Sequence, residues 1–132
     1  MKPVTGADIL VVDDEADIRE VMTWMLADEG YAVRTARHGA EALPIARDWR
    51  PHVIMLDLNM PVMDGMKLLQ RMKAEGFLER TTVAVVTTEE SAETEAAARK
   101  QGARHFLRKP VNRKSVEKVL AAVFGTPELA RG

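Results

Sequence analysis

Short apolar runs alternate along this chain with segments whose apolar residues recur at helical spacing, and this alternation restricts the possible folds more than any other feature. The strand-like runs are residues 9–12, 31–36, 53–56, 83–86 and 104–107. Three of them are apolar throughout, which is typical of parallel strands buried on both faces. The alternation predicts an α/β fold in which a single-domain, five-stranded parallel sheet carries helices on both faces.

The segments between these runs predict five helices. The first has an inward apolar set, namely Ile18, Val21, Met22, Met25 and Leu26, and it is closed by Gly30. The second opens at His38-Gly39, and Pro44 inside it lacks a backbone donor, so we expect a kink or a late start there. The other three are placed at residues 65–75, 91–101 and 116–124. The fourth offers only alanines on its inner face, so packing should anchor it weakly.

Length and charge narrow the classes of protein to consider. The 132 residues suggest one domain, which we place at residues 1–124, with 125–132 as a C-terminal tail or the start of a linker. The net charge of −1 favours neither nucleic-acid binding through this domain nor attraction to a membrane. No stretch is long enough to cross a bilayer. The absence of cysteine excludes a disulfide framework and fits a reducing compartment, so we expect a cytoplasmic protein.

Chemically useful side chains stand at the carboxyl ends of the predicted strands. Asp13 and Asp14 follow the first strand, Asp57 ends the third, Thr87 ends the fourth and Lys109 follows the fifth. In an open parallel sheet these ends meet at one edge, where such folds place their binding sites. We therefore expect the five residues to form one site.

The residue types favour phosphoryl chemistry at that edge. Three carboxylates brought together repel one another unless a cation is present, and oxygen ligands of this kind suit Mg²⁺. Asp57 could then attack a phosphoryl group and become an aspartyl phosphate. The Lys109 ammonium would help to neutralise the phosphoryl oxygens, and the Thr87 hydroxyl could donate a hydrogen bond to them.

Each of these residues also has a simpler structural explanation. Asp57 could cap its strand or start a turn, because the Met60-Pro61 and Asp64-Gly65 pairs that follow are turn signals. Lys109 could be a solvent-exposed lysine, and Thr87 could cap its own strand end. The joint placement of all five favours the site.

The chain resembles the receiver domains of two-component response regulators over residues 7 to 124. The resemblance is carried by Asp13-Asp14, the stretch from Asp57 to Gly65, Thr87, Phe106 and Lys109-Pro110, in this order along the chain. It implies the strand order 2-1-3-4-5 of a flavodoxin-like fold and Asp57 as the phosphoacceptor. It further implies that Asp14 and Asp57 bind Mg²⁺ through carboxylates, Asn59 through its backbone carbonyl and Asp13 mainly through water.

Within the family, the sequence that follows Asp57 is similar to that of single-domain chemotaxis regulators. The positions of Asn59 and Glu89 tune how fast the aspartyl phosphate is hydrolysed in such proteins. The residue after Thr87 is usually small, whereas here it is Thr88. Its bulk is expected to narrow the path of the attacking water, which puts a rapid chemotaxis-like turnover in doubt, unless its side chain faces away from the site.

The resemblance implies a phosphorylation-dependent signalling switch rather than an enzyme with a substrate of its own. Its partners would be a histidine kinase or a histidine phosphotransfer protein as donor and an output protein as target. The alternative is a receiver fragment of a longer regulator whose DNA-binding or enzymatic output domain lies elsewhere. A metal-dependent phosphatase of the haloacid dehalogenase type is disfavoured, because it would need a second aspartate where this chain has Asn59.

Thr87 and Phe106 are the switch pair that the resemblance implies. Phosphorylation would draw the Thr87 hydroxyl towards the phosphate and let the Phe106 ring turn from an exposed to a buried position. The face formed by the fourth helix, the fifth strand and the fifth helix would then change shape and bind the target. The alternative is that Phe106 is a core residue in both states.

Overall fold

The computed structural model describes residues 7–58, 60, 65–88 and 91–125. The strands are β1 (Asp8–Val12), β2 (Ala32–Ala36), β3 (Val53–Asp57), β4 (Thr82–Thr87) and β5 (His105–Arg108). The helices are α1 (Ala16–Asp28), α2 (Gly39–Trp49), α3 (Gly65–Ala74), α4 (Ala92–Lys100) and α5 (Arg113–Phe124). A short 3₁₀ turn at Phe77–Glu79 precedes β4. Asn59, Glu89 and residues 126–132, on which we made predictions, lie outside the described residues.

The five strands form one parallel sheet in the order β2-β1-β3-β4-β5, as the resemblance implied. β1 lies between β2 and β3, with Ile9 opposite both Val33 and Val53. Since the chain reverses its winding direction after β2, the carboxyl ends of β1 and β3 lie side by side at the switch point. The prediction of an α/β fold with a five-stranded parallel sheet and helices on both faces is confirmed.

Alternate residues of the inner strands pack into two separate cores. On one face, α2 and α3 cover a set that comprises Leu10, Val12, Ile54, Leu56, Val83 and Val85. On the other face, α1 and α5 cover a set that comprises Ile9, Val11, Val53, Met55, Ala84 and Val86. Successive side chains of a strand point to opposite faces, and here both faces are covered. This two-sided burial is the reason why these runs are apolar throughout.

Side-chain caps fix where three of the helices begin. The His38 side chain accepts a hydrogen bond from the Glu41 backbone N–H at the start of α2. Ser91 caps α4 in the same way, and Asn112 and Ser115 cap α5 reciprocally. Each cap satisfies backbone donors that would otherwise lack a partner in the first turn. Three of the loops at the carboxyl edge therefore lead into their helices at defined residues.

Several details differ from the sequence-based expectations. The late start of α2 is wrong, because the helix begins at Gly39 and continues through Pro44. Val21 lies outside the buried stripe of α1 and is 49% exposed, since its neighbours Met22, Met25 and Leu26 already cover the sheet. The fifth strand begins one residue later than expected, at His105. The 3₁₀ turn was not predicted at all.

Helix α4 is held against the sheet by one fully buried side chain. Among its residues only Ala98 is buried, and it joins the core on the α2–α3 face. At its C-terminal end the Lys73 ammonium donates a hydrogen bond to the Lys100 carbonyl oxygen. A methyl group contributes little buried apolar area, so the expectation of weak anchoring agrees with this arrangement. Within the described ranges no helix has the length and apolar character needed to cross a membrane.

Candidate phosphoryl-transfer site

Three carboxylates converge at the carboxyl edge of the sheet. Asp13 and Asp14 follow β1, and Asp57 is the last residue of the neighbouring strand β3. One carboxylate oxygen of each lies within 4.8 Å of the others. Asp13 and Asp57 are buried, whereas Asp14 is exposed. The strand order thus brings together residues that are more than forty positions apart in the chain.

Lys109 reaches into this group from the end of β5. Its Nζ lies 2.9 Å from Asp13 Oδ2, 3.4 Å from Asp57 Oδ2 and 3.3 Å from Glu15 Oε1. Its side chain is only 8% exposed, and its backbone N–H donates to the Thr87 carbonyl oxygen. The peptide bond between Lys109 and Pro110 is cis. The ammonium is therefore shared by several carboxylates and is not a solvated surface group.

The surroundings of Lys109 keep its ammonium charged. Burial disfavours the charged form and is the largest single influence on its pKa. The hydrogen bond to Asp13, the charges of Asp57 and Asp13 and the hydrogen bond to Glu15 together outweigh burial, so the pKa of Lys109 is raised above its ordinary value. The site therefore holds a fixed positive charge beside the Asp57 carboxylate at neutral pH.

Two residues that the sequence analysis did not single out support the Asp13 loop. Asp13 Oδ1 accepts a hydrogen bond from the Glu15 backbone N–H at 2.9 Å. The Arg19 guanidinium donates to the Asp13 carbonyl oxygen at 2.7 Å. The available signal was positional, because Glu15 directly follows the aspartate pair and Arg19 lies one helical turn further on. The first contact restricts the direction in which the Asp13 carboxylate points, and the second holds the Asp13 backbone in place.

Gly65 allows α3 to begin directly against the end of β3. Its backbone N–H donates to the Leu58 carbonyl oxygen at 3.1 Å. A Cβ at this position would overlap the Asp57 carbonyl oxygen and would lie 2.6 Å from Leu58 Cα. Because backbone atoms cannot move aside as a flexible side chain can, only glycine fits here. The sequence marked Asp64-Gly65 as a turn signal but gave no indication of this contact.

A groove adjoins the site between β4, α4 and β5. It has a volume of about 310 Å³ and is lined by residues that include Leu58, Thr87, Ser91, Phe106 and Leu107. Thr87 is buried, whereas Phe106 is half-buried and packs against the edge of the core. Thr88 is exposed. Its effect on the attacking water stays a prediction. The predicted switch pair thus borders one groove.

A second hollow lies at the opposite edge of the sheet. It has a volume of about 420 Å³, and Arg47, Glu75 and Phe77 are among the residues that line it. Arg47 and Glu75 pair there at 2.6 Å. None of the predicted site residues belongs to it, and it lies beyond the amino-terminal ends of the strands. Its size therefore does not make it a better candidate for the chemistry than the carboxylate group.

Comparison with known proteins identifies a family for this chain. Residues 9–121 match the family described as the response regulator receiver domain. Because the match covers most of the chain, the chain belongs to this family. It is a receiver domain of two-component response regulators, a class of signalling phosphoacceptors rather than classical enzymes.

Three similar proteins differ in how much of their length the chain covers. Protein PilH of Pseudomonas aeruginosa is 31% identical over 118 residues, which are 89% of this chain and 98% of PilH. The structure of the chemotaxis response regulator CheY4 of Vibrio cholerae is 38% identical, with a TM-score of 0.84 over 90% of this chain and 99% of CheY4. The transcriptional regulatory protein PrrA of Mycobacterium tuberculosis is 37% identical over 107 residues, which are 81% of this chain but only 45% of PrrA.

The contact at Gly65 gives a testable prediction. Replacing Gly65 by alanine should lower the free energy of unfolding by about 1–3 kcal/mol, as other overpacked sites do, because the methyl group forces α3 away from β3. Denaturant unfolding measures this change. Gln70→Ala, at an exposed position of the same helix, is the matched control and should leave stability nearly unchanged. Equal stability of Gly65→Ala and Gln70→Ala would show that the contact is not tight in solution.

Proposed function

We propose that Asp57 accepts a phosphoryl group and that the resulting charge changes the surface around Phe106. The observation that carries this proposal is the Asp57 carboxylate at the end of β3, where it is buried beside Asp13 and within 3.4 Å of the Lys109 ammonium. A buried carboxylate that is held next to a fixed positive charge is poised to act as a nucleophile on a group with anionic oxygens. The site in this chain thus fits a signalling phosphoacceptor, the class to which its family belongs.

The donor in this proposal is a phosphohistidine of a histidine kinase or of a histidine phosphotransfer protein. A carboxylate oxygen of Asp57 attacks the phosphorus atom, a new O–P bond forms, and the P–N bond to the histidine breaks. The histidine nitrogen leaves with the bonding electron pair and takes up a proton. No oxidant or reductant is needed, and the protein catalyses only the transfer to and the loss from its own aspartate.

The carboxylate group also fits a Mg²⁺ ion. Its oxygens are the hard ligands that Mg²⁺ prefers, and one oxygen of each carboxylate lies within 4.8 Å of the others. We propose that Asp14 and Asp57 bind the ion directly, that Asp13 binds it mainly through water, and that the Asn59 carbonyl contributes. The ion, when bound, would supply positive charge to the phosphoryl oxygens and relieve the repulsion between the carboxylates.

Lys109 and Thr87 are the residues that would read the phosphorylated state. The Lys109 ammonium already lies between Asp13 and Asp57, so it can turn to a phosphoryl oxygen without leaving the site. Thr87 ends the neighbouring strand β4, and its carbonyl oxygen is tied to the Lys109 backbone. A charge-assisted hydrogen bond from its hydroxyl to the phosphate would pull the end of β4 towards β3.

The Thr87–Phe106 groove links this local change to the surface. Val85 lies opposite Phe106 in the β4–β5 pairing, and Val85 and Thr87 share one face of the sheet. A movement of Thr87 would therefore change the packing on the face of β5 on which the Phe106 ring lies. We propose that the ring turns inward and that the surface of α4, β5 and α5 then binds an output protein.

A second candidate is that this receiver regulates an attached output domain. The match to PrrA supports it, because the chain covers only 45% of that transcriptional regulator. The coverage of 98% of PilH supports the stand-alone switch. The length of the native reading frame distinguishes the two candidates. In either case, the lifetime of the phosphoryl group would be set by Asn59 and Glu89, the tuning positions that the resemblance implies, and by the bulk of Thr88.

The assignment of the phosphoacceptor predicts a clear result. Incubation with Mg²⁺ and a small phosphodonor should add one phosphoryl group to the wild-type protein, as measured by intact mass, and Asp57→Asn should abolish the addition. Asp48→Asn changes an exposed aspartate of α2 and should be phosphorylated normally. Full labelling of Asp57→Asn at another residue would contradict the assignment.

The assignment of the metal predicts a linked change in stability. At a Mg²⁺ concentration about 100 times its dissociation constant, preferential binding to the native state should stabilise the wild-type protein by about 2.7 kcal/mol. Asp14→Ala should lose most of this gain and most of the Mg²⁺ dependence of phosphorylation. Asp17→Ala, which removes an exposed carboxylate from the first turn of α1, should keep both. Identical behaviour of the two variants would place the ion elsewhere.

The switch predicts that Thr87 couples the phosphate to Phe106. Thr87→Ala should be phosphorylated to the same extent as the wild-type protein but should lose most of the phosphorylation-induced change in the NMR resonance of the Phe106 ring. Thr87→Ser keeps the hydroxyl and should retain most of the response. A full response at Phe106 in Thr87→Ala would refute the coupling.

A further inference from the structure

Arg99 of α4 lies directly over the Phe106 ring. Its guanidinium carbon is 4.5 Å from the ring centroid, a distance at which a cation is attracted to the face of an aromatic ring. One turn earlier on the same helix, Glu95 Oε1 lies 3.3 Å from the Arg99 Nη2 atom. The ion pair restricts the direction of a long side chain that would otherwise be free to leave the ring. Phe106 is therefore covered by a charged group on a solvent-facing helix.

The covered ring also borders the groove that contains Thr87. Phe106 and Thr87 both line this space of about 310 Å³. The groove thus gives the ring room to turn towards Thr87. Two orientations of one side chain, one stacked under Arg99 and one in the groove, form the kind of two-state element that a bound group can bias.

The contact between Arg99 and Phe106 joins two elements that otherwise share little. Ala98 is the one buried residue of α4, and a methyl group anchors it weakly. Arg99 directly follows Ala98, whereas Phe106 lies on β5. The stack therefore adds a contact between α4 and β5 and bears on the orientation of the ring.

We propose that Arg99 is a positioning residue that holds Phe106 in its half-buried orientation before phosphorylation. It thereby raises the free energy that phosphorylation must supply to turn the ring inward. This rests on the proposed function at Asp57. When the ring turns into the groove it loses the stack with the guanidinium. That loss opposes the inward orientation, and Glu95 strengthens the opposition because it keeps Arg99 over the ring.

The size of the effect follows from the exposure of the contact. The Arg99 side chain is 54% exposed, so the cation–π contact is of the weak, solvated kind. Loss of such a contact changes a two-state population ratio by roughly two- to fivefold. Arg99→Ala should raise the ratio of inward to outward Phe106 by this factor in the unphosphorylated protein. Glu95→Gln should raise it by less, because the stack remains but its support is weakened.

The test uses the full chain labelled with fluorophenylalanine. The sequence contains three phenylalanines, so the ¹⁹F spectrum has three resonances, and those of Phe77 and Phe124 serve as internal references. The contact of each ring with solvent is measured by relaxation from a soluble paramagnetic probe. Without a phosphodonor, Arg99→Ala should reduce the solvent contact of the Phe106 ring and leave the two references unchanged. At an equal, partial level of phosphorylation it should show a larger inward fraction than the wild-type protein.

Two control variants separate positioning from a general effect on α4. Lys100→Ala removes the neighbouring exposed charge of the same helix and should leave Phe106 as in the wild-type protein. Arg99→Lys keeps the charge without the flat guanidinium and should restore the outward orientation only in part. An unchanged Phe106 resonance and solvent contact in Arg99→Ala, or an equal change in Lys100→Ala, would overturn the proposal.

The same experiment distinguishes this proposal from the proposed function. If the phosphodonor moves the Phe106 resonance in the wild-type protein and Arg99→Ala behaves identically, the switch stands and the role of Arg99 is refuted. If the phosphodonor leaves Phe106 unchanged in the wild-type protein but Arg99→Ala reduces its solvent contact, Arg99 positions the ring and the coupling to Asp57 is refuted.

Discussion

The contact between the Lys109 ammonium and the buried carboxylates of Asp13 and Asp57 is the interaction on which the rest of this site depends. Asp13 and Asp57 are only 2% and 3% exposed, and buried charges are costly unless they are paired. Lys109 meets this requirement with distances of 2.9 and 3.4 Å. The same contact joins the ends of three strands, so the electrostatics of the site and the alignment of the sheet edge cannot be changed independently.

The doubly wound sheet explains why so few local contacts are needed to build the site. Strand order alone places the ends of β1 and β3 side by side, and the two covered faces hold those ends in position. Gly65 then lets α3 begin against the Asp57 backbone. A rigid frame of this kind keeps the carboxylates close together despite their repulsion, which is the condition for binding a cation or a phosphoryl group between them.

The surroundings of Phe106 are loosely packed, in contrast to the rigid frame around the carboxylates. Helix α4 rests on Ala98, and its contact with β5 through Arg99 and Phe106 is largely exposed to solvent. Contacts of this kind are individually weak, so two arrangements can differ by little free energy. The molecule thus combines a tightly fixed charged site with a loosely fixed neighbouring helix, an arrangement that suits the proposed switch.

The sequence by itself determined the alternation of strands and helices, the two-sided burial of the inner strands and the position of Asp13, Asp14, Asp57, Thr87 and Lys109 at the strand ends. These features follow from periodicity and from short motifs, which local spacing records. The starts of α4 and α5, at Ala92 and Arg113, differ from the expected positions 91 and 116, because helix starts depend on individual side-chain hydrogen bonds. The tertiary structure decided that Asp13 is buried while Asp14 is exposed, that Gly65 contacts the Asp57 backbone, and that Arg99 covers Phe106. No local pattern reveals such facts, because they depend on packing between elements and, for Lys109 and Asp57, on residues 52 positions apart.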